Sequence, residues 1–129
     1  MKVKAEIIYS GLSIINELAE KPMQVSLAAK MLRLADDLQK ECNFIDKQRR
    51  DIIEKYGKKD ESGELIINDG NVNFEDENIE LVENELNELS ELEIDIKDRE
   101  ITENELIKSN LELTMGQLSI LKNFIHTND

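Results

Sequence analysis

The chain has 129 residues, enough for one hydrophobic core and too few for two large ones. Hydrophobic residues make up 40% but aromatic residues only 4%, with no Trp, so the core must be built from Leu and Ile. A net charge of −13 argues against direct contact with DNA or RNA, and no run of eighteen apolar residues is available to span a membrane.

The charge is unevenly spread. Met1 to Lys59 carries twelve Lys/Arg against nine Asp/Glu, whereas Asp60 to Leu106 carries only Lys97 and Arg99 against eighteen acids. From Ile107 onward the charges cancel. A mildly basic first half therefore precedes a strongly acidic middle block. Such a block suits a basic partner, and it equally serves solubility.

The first residues, Met1-Lys2-Val3-Lys4-Ala5-Glu6, do not read as a signal peptide, because Glu6 interrupts early and no cleavage site follows an apolar run. Ala5 to Ala19 is expected to be a helix. Ile8, Leu12, Ile15 and Ala19 form one stripe, and Ile7, Gly11, Ile14 and Leu18 the adjoining one. Gly11 weakens this helix by about 1 kcal/mol relative to Ala, and its missing side chain lets a neighbour come close. Lys21-Pro22 ends the helix, since Pro22 disfavours helical geometry at Lys21 and lacks a donor. Ser26 is the expected cap of the next helix, without a capping box because Ala29 stands where Glu is needed.

Val25 to Tyr56 predicts a single long helix. Leu27, Met31, Leu34, Leu38, Cys42, Ile45, Arg49, Ile52 and Tyr56 recur at steps of three and four, with two fours together at Leu38→Cys42. Ala28, Ala35 and Ile53 widen the stripe. At 1.5 Å per residue the helix would be about 45–50 Å long, longer than a compact domain of this size is wide. That excess points to a homodimer, with Leu27, Met31, Leu34, Leu38, Ile45 and Ile52 as the self-association residues. Cys42 reads as a buried hydrophobe, and a lone Cys points to a reducing compartment.

Gly57 is expected to cap this helix in the left-handed conformation, with Lys55, Lys58 and Lys59 at the negative end of its dipole. Glu64–Asn68 and Val72–Glu75 flank Asp69-Gly70, a strong hairpin signal. Glu75 to Glu91 repeats Ile79, Val82, Leu86 and Leu89 at helical spacing, with Glu77, Glu80, Glu83, Glu85, Glu88 and Glu91 outward. No Lys four residues on relieves their repulsion. Leu92 to Lys97 then alternates, as a half-buried strand does, and is expected beside the hairpin. Ile101 to Ile107 is ambiguous, with Leu106-Ile107 able to close a short helical turn. Thr114-Met115-Gly116-Gln117 is a capping box opening a last helix with Leu118, Leu121, Phe124 and Ile125. The expected fold is α+β and predominantly helical: an N-terminal helical hairpin over 1–59, an acidic hairpin–helix–strand block over 60–106, and a C-terminal helix within 107–129, in one domain.

No motif carries chemistry. His126 lies near the end and reads as a frayed terminal residue. The stretch around Asp60-Glu61-Ser62-Gly63-Glu64-Leu65 would need Lys58 as the first calcium ligand and Asp69 as the twelfth. No Cys/His cluster suits zinc, and no Gly-rich loop suits a phosphate. Lys47, Arg49 and Arg50 form a small basic cluster that reads as a solvated flank. No enzyme and no cofactor are expected.

The order of elements carries a resemblance. A Lys-Pro break precedes a long helix ending in Tyr56-Gly57-Lys58-Lys59-Asp60-Glu61-Ser62-Gly63. A Gly hairpin, the Asn84-Glu85-Leu86-Asn87-Glu88-Leu89 helix, the Glu93-Ile94-Asp95-Ile96 strand and a Leu-rich closing helix come next. This pattern resembles a family of small bacteriophage and prophage proteins of low-GC Gram-positive hosts. The resemblance implies a bacterial-cell or virion setting, with the host cytoplasm expected, and a host protein as partner, such as a nucleic-acid-binding defence enzyme inhibited in an anti-CRISPR or other anti-defence manner; the acidic block adds that this partner is basic. The acidic residues Glu80, Glu83, Glu88 and Glu91 are the expected contacts, drawn from charge. The alternative is an assembly protein of the virion, acting through its long helix.

Overall fold

Residues 2–96 and 100–126 are described in a computed structural model of the chain. The elements in order are β1 (Lys2–Lys4), α1 (Ala5–Leu18), α2 (Val25–Tyr56), β2 (Ile67–Asn68), β3 (Asn71–Val72), α3 (Asp76–Glu91), β4 (Glu93–Asp95), α4 (Glu103–Lys108) and α5 (Met115–Leu121). The fold is α+β and predominantly helical. Its contacts gather into two compact units, Met1–Cys42 with Glu93–Asp129, and Asn43–Leu92. Helix α2 contributes residues to both.

In the first unit β1 pairs antiparallel with β4, placing Val3 opposite Ile94, Lys2 opposite Asp95 and Lys4 opposite Glu93. Val3 and Ile94 are buried while the charged residues face outward. A slip of one residue would set an apolar side chain against an acid and put Val3 and Ile94 on opposite faces, so register is tightly specified. Helix α1 buries Ile8, Ile14, Ile15 and Leu18, and packs against α5. The Tyr9 hydroxyl donates to the Cys42 carbonyl at 3.2 Å, fastening α1 to α2. Leu27, Met31, Leu38 and Cys42 complete the α2 share of this core. Thr102 and Glu105 form a capping box at α4, and Thr114 and Gln117 form the one expected at α5.

The second unit holds the end of α2, the β2–β3 hairpin and α3. Ile67 pairs with Val72 and Asn68 with Asn71. Asp69 and Gly70 both have positive φ, 51° and 79°, the geometry of a type I′ turn. The chain leaving α2 joins this hairpin: Lys58 N–H donates to Asn73 O at 2.7 Å, and Ile66 N–H donates to Lys58 O at 2.8 Å.

Several expectations are corrected. The alternating segment is a strand, but its partner is β1 rather than the hairpin. The paired residues of the hairpin, Ile67, Asn68, Asn71 and Val72, carry no base to set against Glu93 and Asp95, whereas β1 offers two lysines. The end of that predicted strand, Lys97, lies outside the described residues. Ser26 sits inside the first turn of α2, since Ala28 N–H already donates to Gln24 O. Gly57 is not left-handed. It bridges to Phe74, and a Cβ there would lie 2.5 Å from Leu65 Cδ2. Ile101–Ile107 contains a helix that the Thr102–Glu105 box announces. Helix α5 stops at Leu121, leaving Phe124 and Ile125 buried beyond its end. His126 is not frayed: its N–H donates to Ile101 O at 2.7 Å, and its carbonyl accepts from Glu103 N–H at 2.9 Å.

The space at Gly11 is filled by Phe124, whose Cε2 would lie 2.4 Å from an added Cβ. Gly11→Ala gains about 1 kcal/mol of helix propensity, but overpacking costs about 1–3 kcal/mol, so thermal melting should show a lower midpoint. Leu38 is fully buried. Leu38→Ala should lower unfolding free energy by about 2–5 kcal/mol in urea titration; an unchanged midpoint would contradict the packing described.

Candidate partner-binding face

Helix α3 begins without help from its cap, because Glu75 makes no side-chain capping bond. Asp76 and Glu77 suit the positive end of the helix dipole, but the last turn has no base. Glu88 and Glu91, near the negative end, are therefore unfavourable for the isolated helix. Packing and ion pairs at its edge compensate. Val82 and Leu89 are buried and Leu86 is half-buried.

At about 100° per residue, the side opposite Val82 and Leu89 carries Glu77, Glu80, Asn84, Asn87 and Glu91, with Glu88 at its edge. All six are exposed. Leu81, 47% exposed, flanks this line on one side; Glu83 and Ile79, the latter 42% exposed, flank it on the other. The face thus combines carboxylates with exposed aliphatic side chains. Leu81 is not marked by the sequence pattern, because it falls outside the Ile79, Val82, Leu86, Leu89 repeat. Ile79 belongs to that repeat and lies at its exposed margin.

Glu85 is not on the outer face. Its Oε1 lies 3.5 Å from Lys55 Nζ, and its Oε2 is buried with no protein partner among the described residues. Lys55 Nζ also sits 4.8 Å from the Tyr56 ring centroid. Tyr56 first, and Glu85 second, hold the Lys55 ammonium above its ordinary pKa. Lys58 Nζ approaches Glu75 Oε2 at 3.8 Å.

Acids of the other unit also meet the chain's own bases. Arg33 Nε donates to Glu100 Oε2 at 2.8 Å, which holds the guanidinium above its ordinary pKa. Lys30 Nζ donates to Glu105 Oε1 at 2.7 Å. The acidic block therefore divides into residues turned toward intramolecular cations and residues turned to solvent. Among the described residues Glu80, Glu83 and Glu88 belong to the second group, with no ion pair. Glu91 shares their exposure.

The seam of α2 is placed differently. Leu27, Met31, Leu38 and Ile45 are buried within the chain, and Leu34 and Ile52 are half-buried. Arg49, at a seam position, is exposed and lies 3.6 Å from Asp46. The exposed apolar residues of α2 are instead Val25, Leu32 and Phe44. Lys47 and Arg50 face solvent. Among the described residues no group of His, Cys, Asp and Glu is arranged to hold a metal ion, and no helix is long and apolar enough to cross a membrane.

No protein-family model, curated protein or solved structure matches the chain.

Glu105 offers a test of the charge pairing. The hydrogen bond from Lys30, and those from Thr102, hold its carboxyl below the ordinary carboxylate range against partial desolvation. The stabilisation is present above the unfolded carboxylate pKa, about 4.3, and is lost as pH falls through the lower folded value. Glu105→Gln keeps an oxygen for the capping box and removes the charge. Wild type should be the more stable at neutral pH, and the gap should close on acidification; a gap independent of pH would exclude the charge as its source.

Proposed function

We propose that the chain is a non-enzymatic binding protein whose α3 face occupies a basic surface on a partner protein. The observation that carries this reading is the division of the acidic block. Lys2, Lys4, Lys30, Arg33, Lys55 and Lys58 lie opposite or beside acids within the fold, whereas Glu80, Glu83 and Glu88 stand along α3 without ion pairs among the described residues. Like charges at helical spacing oppose the helix by a few tenths of a kcal/mol per close pair. Lys or Arg from a partner relieves that repulsion and adds charge-assisted contacts. Leu81 and Ile79 at the margins supply apolar area that a purely solubilising face does not need.

A surface built to receive phosphates has the required chemistry, because it presents arrays of Lys and Arg. The resemblance to bacteriophage and prophage proteins supports a bacterial nucleic-acid-binding protein as that partner, inhibited by blockage of its phosphate-binding groove in the host cytoplasm. The assembly reading through a homodimer is less favoured, because Leu27, Met31, Leu38 and Ile45 are already covered within one chain.

The test compares wild type with a variant carrying Gln at Glu80, Glu83, Glu88 and Glu91, each as a tagged bait in bacterial extract. The expected result is a basic protein retained by wild type, released as salt rises, and not retained by the variant. Wild type added to that purified protein should then displace a labelled oligonucleotide from it. Equal, salt-insensitive retention by both baits would sink the proposal. Sedimentation velocity at tens of micromolar separates the alternative, for which a dimer with both sequences and capture of capsid or tail proteins are expected.

A further inference from the structure

We draw no further inference here: the strongest candidate, the apolar groove of about 390 Å3 between α1 and α2 lined by Ile15, Leu18, Met23, Met31 and Leu32, is an unpartnered apolar face, and nothing in the structure shows what covers it.

Discussion

The constraint on which the fold depends is the placement of few bases among many acids. The chain has 16 Lys and Arg against 29 Asp and Glu, so compaction brings like charge together unless the bases are positioned where acids converge. The first unit sets Lys2 and Lys4 across from Asp95 and Glu93, and joins Lys30 and Arg33 to Glu105 and Glu100. The second joins Lys55 and Lys58 to Glu85 and Glu75. Exposed pairs of this kind contribute about 0–1 kcal/mol each, far less than the burial of Ile8, Leu18, Leu38 or Phe124. Their effect is on specificity. The opposite charges of Lys2 and Asp95 and of Lys4 and Glu93 suit the β1–β4 register, while apolar burial supplies the stability.

On the outer side of helix α3, Glu80, Glu83 and Glu88 have no such pairing among the described residues. The buried line of the helix rests on Val82 and Leu89, with Leu86 partly covered. Its edge is tied by Lys55 to Glu85, and the residue before it by Lys58 to Glu75. The far side has repulsion between carboxylates and an unfavourable dipole at its last turn. A helix held by packing on one side and opposed by charge on the other gains from any cation brought to that second side. An energetic weakness of the isolated protein is thereby linked to a means of recognition.

Most of the candidate face is legible in the sequence, because helical spacing alone places Glu77, Glu80, Glu88 and Glu91 on one side. Glu85 is wrongly grouped with the outward acids, because at about 100° per residue it falls on the buried side, three residues after Val82 and four before Leu89. Leu81 escapes notice because one exposed leucine beside an apolar repeat is common on helices. The α2 seam is correctly apolar in the sequence. Helix length suggests an uncovered end, whereas Leu27, Met31, Leu38 and Ile45 are covered by the chain itself.

Signals confined to a few neighbouring residues therefore determined what the sequence could determine. The span of α2 came from an unbroken apolar repeat, the β2–β3 turn from Asp69-Gly70, the start of α5 from Thr114 and Gln117, and the alternation of Glu93 to Ile96 from the two-residue period of a strand. These depend on backbone geometry within one or two turns. Tertiary structure decided the rest: β1 as the partner of β4, the close contact of Phe124 with Gly11, the capture of Glu85 by Lys55, and the covering of the α2 seam. Each joins residues distant in sequence. Three residues such as Lys2–Lys4 are too few to show a period, and a charge does not disclose its partner until the fold brings the two together.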